Sequence, residues 1–381
     1  METHLFSASA IIYDLPNLLI CLLLTLTLSI KLGLSKNYTL LLGASCLIPF
    51  FLNGALFPAT YLGDQFRYWR AVNEIRSLHT LTDGGTIAYA SYFLALIPLP
   101  FNETVRSLGF FNKFLYLITI FFLIQKRFIT HASMLFMVFY TSLVLYTSLS
   151  LRDTLILFFM IFSFFAITRG YLLYSLILAT PLFFIKFQNY FIQIIFIITY
   201  YLFAVRKNGI SAKNSILVFA GLWLALIAIA PIAIPEINHY RAAMYVEDGG
   251  DANDIKLISG ISDFIITGLI SGFYFLVKPL PWEARNILQL IQSLENIFVL
   301  WFATWVTIKC LKHDKKRALF WILFLLASSL IYGLVVFNYG TAARYRFPFF
   351  VIYILFITYD TFHNKYSSPP THRLFNKFPP R

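Results

Sequence analysis

The residues best suited to chemistry in this sequence are cations at the ends of apolar segments. Arg344 and Arg346 directly precede a long apolar run, and Arg152 lies between two apolar segments with almost no loop between them. Cations at membrane depth are costly and by default indicate a functional site. The full set is Arg67, Arg70, Arg152, Lys186, Arg241, Lys278, Arg285, Arg344 and Arg346. We predict that these cations gather at one membrane surface and bind the pyrophosphate of a lipid, because guanidinium groups pair with phosphate oxygens.

The segment around Arg344 and Arg346 allows two interpretations. Pro348 is typical of the first turn of a helix, which would place both arginines in a linker just ahead of a helix N-terminus, a favourable anion site. In an extended linker, residues two apart point the same way. The alternative is that both side chains reach lipid headgroups.

A stripe of charges follows Asp64 in the first long polar segment. Arg67, Arg70 and Glu74 recur at three- and four-residue spacing. On a helix this spacing places the cations on one face, and we predict a helix lying along the membrane surface. An ordinary interfacial helix with basic and aromatic anchors is the alternative. Asp153 has a structural explanation, because an acid suits the positive end of a helix dipole. The anion expected near Arg152 is either Asp153 itself or a ligand.

The elements that must position these residues are membrane helices. Hydrophobic residues make up 59% of the chain and charged residues 12%, against about 25% charged in soluble domains. The sequence predicts an all-α polytopic membrane protein, one transmembrane domain over residues 1–381 with about 10–12 transmembrane helices. The predicted spans are 15–34, 38–57, 108–124, 133–149, 154–168, 171–186, 190–204, 215–234, 287–308, 318–337 and 347–360.

Charge distribution orients the chain. Basic residues cluster in 309–317 and in the tail 361–381, which the positive-inside rule assigns to the cytoplasm. Segments 58–107 and 235–286 then become outer loops. Each contains a short apolar block, 86–101 and 261–279, that we predict to be re-entrant or interfacial. If both blocks crossed the membrane instead, basic loops would lie outside.

Several classes of site lack support in the sequence. Cys21, Cys46 and Cys310 lie within or at the end of apolar segments, and their spacing fits neither zinc nor a disulfide framework. We expect no cofactor, no nucleic-acid partner and no dedicated metal site. The loop acids Asp248, Asp251 and Asp254 could bind a divalent ion only weakly.

Four short motifs, in their order, resemble the Wzy-type polymerases of bacterial surface polysaccharides, with the EpsG-like members closest in pattern. They are the "GD" loop at 63–64, "LRD" at 151–153, "KPLPWE" at 278–283 and "NYGTAARYRFP" at 338–348. One departure is that Tyr68 follows the loop acid by four residues, whereas the family tyrosine usually follows more closely.

The resemblance implies a membrane glycosyltransferase with a fold akin to the GT-C class, acting at the outer face of the inner membrane. Its substrates would be undecaprenyl-pyrophosphate-linked oligosaccharides, with membrane lipid and a chain-length regulator protein as partners. Arg152, Arg344 and Arg346 would hold the donor pyrophosphate. Asp64 would be the general base, with His239 as the alternative base. The second outer loop would cover the sugars through His239, Arg241 and Glu247.

Three other functions are alternatives to this one. A flippase for lipid-linked glycans also needs a cationic cavity, although transporters often show matched halves. An O-antigen ligase or another polyprenyl-phosphate-dependent glycosyltransferase likewise predicts outer arginines. A purely structural membrane subunit would not need so many basic residues at one surface.

Overall fold

The computed structural model describes residues 11–52, 62–205, 212–247, 255–336 and 338–363. Over these ranges each long regular element is an α-helix. The helices are α1 Ile11–Leu32, α2 Lys36–Ser45, α3 Ile48–Leu52, α4 Asp64–Arg76, α5 Gly85–Ala95, α6 Val105–Gln125, α7 His131–Phe139, α8 Thr141–Tyr146, α9 Asp153–Thr168, α10 Leu172–Ile185, α11 Phe187–Tyr200, α12 Ala212–Glu247, α13 Ile261–Val277, α14 Ile287–His313, α15 Lys315–Gly333 and α16 Tyr339–His363.

Six helices of the described chain are long and apolar enough to cross a membrane, which confirms the predicted class of polytopic helical membrane protein. They are Ile11–Leu32, Val105–Gln125, Phe187–Val205, Ile287–His313, Lys315–Gly333 and Tyr339–Phe362. Three apolar helices are shorter, namely Asp153–Thr168, Leu172–Ile185 and Ile261–Val277. Two predicted spans are interrupted: 38–57 divides into α2 and α3, and 133–149 divides into α7 and α8.

The ends of several helices follow from local side chains. The Thr104 hydroxyl accepts from the Ser107 amide at the start of α6, and the Ser107 hydroxyl accepts from the Thr104 amide, which forms a capping box. Asn286 caps α14 through the Gln289 amide. Asp314 alone separates α14 from α15, and its carboxylate accepts from the Arg317 amide. These caps supply partners for helix N–H groups that have none within the helix.

The chain forms two compact units, one ending at Ile197 and the other beginning at Ile198. In the first unit, α1 and α9 pack against α6, and α4 and α5 form a pair. In the second unit, α13, α14 and α16 all pack against α15.

Two expectations about helix boundaries are wrong. α16 begins at Tyr339 and continues through Pro348, so Arg344 and Arg346 are helical rather than in an extended linker. A proline inside a membrane helix is tolerated where neighbouring groups satisfy the freed carbonyl. α12 likewise continues through Pro231 and Pro235 to Glu247, so the first part of the predicted second loop is helical.

Candidate functional site

In the first unit, the turn before α9 is held on several sides. The Asn112 side chain donates to the carbonyls of Leu149 and Leu151, at 2.6 Å each. The Ser150 amide donates to the Gln65 side chain at 3.0 Å. All of these groups are buried, so each hydrogen bond gives a partner to a backbone N–H or carbonyl group that would otherwise have none in an apolar environment. The turn is therefore rigidly placed.

Gly109 allows α6 to approach this turn closely. A Cβ atom at this position would lie 2.5 Å from the Ser148 carbonyl oxygen, well inside van der Waals contact. Any larger residue would push the turn away from α6.

Arg152 is the N-cap residue of α9 and is partly buried. Its Nη1 atom is buried and has no hydrogen-bond partner within the described chain. A buried donor without a partner is costly and needs an explanation. A cation at a helix N-terminus also opposes the helix dipole. An anion placed at this point would satisfy both the guanidinium and the first N–H groups of α9.

The acid predicted as general base lies on an element joined to the same turn. Asp64 is the first residue of α4 and is exposed, and the next residue, Gln65, makes the bond to Ser150. The structure thus joins the start of α4 to the turn that carries Arg152.

The cations on α4 have different surroundings. Arg67 donates to Asp83 from Nε at 3.0 Å and from Nη2 at 2.8 Å, and this hydrogen bonding raises the pKa of Arg67. Arg70 is exposed on the same helix. Lys186 is half-buried in the tight connection between α10 and α11.

Arg76, which the sequence analysis did not single out, caps α5. Its guanidinium donates to the carbonyls of Ala95, Ile97 and Leu99 and lies 4.4 Å from the Phe111 ring centroid. Burial lowers the pKa of Arg76. The carbonyls at the end of the short helix α5 thus accept hydrogen bonds from a guanidinium.

In the second unit, Arg346 has the same role at the end of α13. It is 2% exposed, and its Nη1 donates to the carbonyls of Phe275 and Leu276 at 2.8 Å and of Lys278 at 3.3 Å. Its Nη2 donates to the side-chain oxygen of Asn296. The Arg346 guanidinium is therefore occupied by protein acceptors.

Arg344 is half-buried in α16, two residues before Arg346. Residues two apart on a helix lie on nearly opposite faces, so the two guanidiniums do not point the same way. Arg344 lies 5.9 Å from the centroid of the Tyr345 ring. The predicted pair of parallel guanidiniums is thus wrong, because the segment is helical.

The "KPLPWE" segment is held together by contacts between its own residues. Lys278 Nζ lies 2.9 Å from Glu283 Oε1 and 4.1 Å from the centroid of the Tyr274 ring. The Glu283 carboxylate also accepts from the Leu280 amide, and this bond together with Lys278 lowers the pKa of Glu283. Arg285, just beyond, is exposed.

Arg241 and His239 both lie on α12. Arg241 is 5% exposed and donates to the Leu334 carbonyl, at the end of α15, and to the Lys256 carbonyl at 3.3 Å. His239 is exposed, and its ring lies 6.1 Å from that of Tyr240. The Glu247 side chain and the acids Asp248, Asp251 and Asp254 lie outside the described residues.

Further polar groups are buried within the helices. Asp14 pairs with Arg106 at 3.2 Å in the first unit, and Asp360 pairs with Arg317 at 3.6 Å in the second. Lys113 is fully buried and donates to a threonine hydroxyl. In the described ranges, no group of three or more His, Cys, Asp or Glu side chains is placed to hold a metal ion.

Sequence reasoning missed Gln65, Arg76, Asn112 and Asn296, whose side chains fix the turns and helix ends around the predicted cations. Asn112 carried a usable signal, since it is an amide within a strongly apolar segment, whereas Asn296 lies near the polar residues Gln292, Ser293 and Glu295. Gln65 and Arg76 carried none, because polar residues are ordinary in a polar loop. Compared with known proteins, the chain matches no family model, no curated protein and no solved structure.

Proposed function

We propose that this protein is a polysaccharide polymerase that joins undecaprenyl-pyrophosphate-linked oligosaccharides at the periplasmic face of a bacterial inner membrane. The proposal includes a GT-C-like arrangement of about 10–12 membrane helices. The observation that carries it is Arg152, whose buried Nη1 has no hydrogen-bond partner in the described chain. An anionic headgroup arriving from the bilayer would supply that partner.

The proposed chemistry assigns one role to a cation and another to a base. An acceptor hydroxyl oxygen attacks the anomeric carbon of the donor sugar, and the bond from that carbon to the pyrophosphate oxygen breaks. The leaving pyrophosphate keeps the electron pair, and Arg152 stabilises its charge as it develops. Asp64, or His239 as the alternative base, takes the proton from the acceptor hydroxyl.

The other cations fall into three groups in this proposal. In the first unit, Arg70 and Lys186 would contribute to anion binding, and in the second unit Arg344 and Arg285 would do so. Arg241 and Arg346 act as positioning residues, because their donors already hold helix carbonyls. Arg67 and Lys278 are held in ion pairs with Asp83 and Glu283 and would steer an incoming anion.

The test is gel electrophoresis of surface polysaccharide from a strain that lacks the gene for this protein and is complemented with variants of it. We expect the deletion to leave a single repeat unit, and we expect Arg152→Ala and Arg344→Ala to reproduce that pattern. Arg152→Lys should give shortened chains, since an ammonium keeps the charge but loses the paired geometry. Arg127→Ala, at an exposed arginine after α6, is the matched control and should give full-length chains.

Two results would contradict the proposal. A deletion strain that lacks even the single repeat unit would indicate a ligase or a flippase. Full-length chains from both Arg152→Ala and Arg344→Ala, at normal protein levels by immunoblot, would refute the site.

A further inference from the structure

Around the turn between α14 and α15, three lysines form no ion pair with a carboxylate of the described chain. Lys309, Lys312 and Lys315, here called the lysine turn, are all exposed. The nearest acid, Asp314, accepts from the Arg317 amide at 3.1 Å and lies 3.6 Å from the Arg317 Nε. Its charge is thus directed at Arg317, away from the lysine turn.

The other cations of this segment have internal partners. Lys316 Nζ lies 4.5 Å from the centroid of the Phe203 ring and donates to the Phe203 carbonyl at 3.5 Å. Arg317 pairs with the buried Asp360. The lysine turn differs from both because its side chains project outward.

Helix electrostatics explain only part of this arrangement. Lys309 and Lys312 lie near the C-terminus of α14, where a cation is favourable. Lys315, however, is the first residue of α15, where a cation opposes the dipole and the free N–H groups favour an anion. Local structure thus offers no reason for a third lysine at this position.

The lysine turn lies at the level expected for lipid headgroups. Ile297, Trp301 and Trp305 form an exposed stripe on α14 at four-residue spacing, and Lys309 continues it. Lys309 Nζ lies 3.8 Å from the centroid of the Trp305 ring. Tryptophan is enriched at the membrane–water interface, so an apolar stripe that ends in tryptophan and then lysine indicates a helix leaving the bilayer.

We propose that the lysine turn binds the anionic headgroup of a membrane phospholipid. The phosphate would contact the three ammonium groups and the first amides of α15, while the acyl chains would lie along the stripe of Ile297, Trp301 and Trp305. The site lies at the opposite end of α14 from the "KPLPWE" segment, roughly 40 Å away for a helix of this length. It is therefore independent of the proposed polymerase chemistry.

Native mass spectrometry of the detergent-purified full chain tests this proposal, with phosphatidylglycerol and phosphatidylcholine added in equal amounts. We expect the protein to retain phosphatidylglycerol preferentially. In the triple variant Lys309→Gln, Lys312→Gln, Lys315→Gln, the ratio of bound phosphatidylglycerol to bound phosphatidylcholine should fall by roughly fivefold for each lysine removed. A triple arginine variant at the same positions should retain it.

The matched control is the triple variant Lys31→Gln, Lys36→Gln, Lys126→Gln, which removes the same charge from other exposed lysines. We expect it to retain the preference. An equal loss in the control would show a general charge effect and overturn the site, as would an unchanged preference in the lysine-turn variant. Unchanged thermal unfolding in both triples would exclude misfolding as the cause.

Discussion

Arginine occurs at helix ends of this protein in two different hydrogen-bonding environments. The Arg152 Nη1 is buried and has no hydrogen-bond partner in the described chain, whereas Arg76 and Arg346 donate to carbonyls at helix ends. The last carbonyls of a helix have no partner within it, and a bilayer offers no water to replace one. A guanidinium carries five donors and no acceptor, so one arginine satisfies several carbonyls at once. Arginine therefore suits both the capping of helix C-termini and the anion site that we propose at the N-terminus of α9.

Arg346 provides the sharpest test of the capping role. We expect Arg346→Ala to lower the free energy of unfolding by about 2–4 kcal/mol, because it leaves the α13 carbonyls and the Asn296 side-chain oxygen without a hydrogen-bond donor. Arg346→Lys should recover part of the loss, since an ammonium supplies three donors without the planar fork. Thermal unfolding of the purified protein in detergent measures both.

Arg285→Ala is the control for that experiment, because the Arg285 side chain is exposed and near the same loop. It should change the unfolding free energy by less than about 0.5 kcal/mol. A stable Arg346→Ala protein that lost only polysaccharide synthesis would instead favour direct binding of substrate by Arg346.

Among the elements, α13 and α15 approach each other closely at two glycines, Gly272 and Gly333. A Cβ atom on Gly333 would lie 2.5 Å from the Gly272 nitrogen, and one on Gly272 would lie 2.9 Å from the Leu330 Cα. Small residues permit such contacts, which replace the hydrophobic effect as the main force between membrane helices. The pair of glycines thus fixes the position of α13, whose C-terminus carries the Arg346 cap.

Gly333→Ala tests this packing. The new methyl group meets backbone atoms that cannot move aside, so we expect a loss of about 2–3 kcal/mol in unfolding free energy. Gly268→Ala on α13 is the matched control, because its Cβ would meet only the Leu334 side chain, at an ordinary 3.6 Å. The control should be neutral or slightly stabilising, since alanine favours a helix more than glycine does. Equal effects of the two substitutions in thermal unfolding would argue against a tight crossing.

At the scale of the whole molecule, orientation in the membrane remains a prediction from charge. α14 contains 27 residues, and a helix of that length is longer than the roughly 30 Å hydrocarbon layer. Arg285 and Lys312, which flank or end this helix and are both exposed, should therefore lie on opposite sides of the membrane. The positive-inside rule assigns Lys312 to the cytoplasm.

Cysteine labelling checks that orientation. In spheroplasts, Arg285→Cys should react with a membrane-impermeant maleimide, and Lys312→Cys should react only after permeabilisation. The native chain is its own control, because Cys21, Cys46 and Cys310 are buried. The reverse pattern would invert the topology, and labelling of both positions would show that α14 does not cross.

The sequence by itself determined the class of protein and the positions at which cations stand. A content of 59% hydrophobic residues indicates membrane helices, and the polar segments between apolar runs indicate where those helices end. Residues at helix boundaries, such as Arg152 beside Asp153, could be identified as unusual because a short connection offers them little water.

Only the tertiary structure decided which cations remain available to a ligand. Arg346 binds carbonyls about 70 positions earlier in the chain, and Arg241 binds one 93 positions later. Hydrogen-bond partners so distant in sequence leave no local pattern. The continuation of α16 through Pro348 was decided in the same way, because burial against neighbouring helices outweighs the local preference of proline for a first turn.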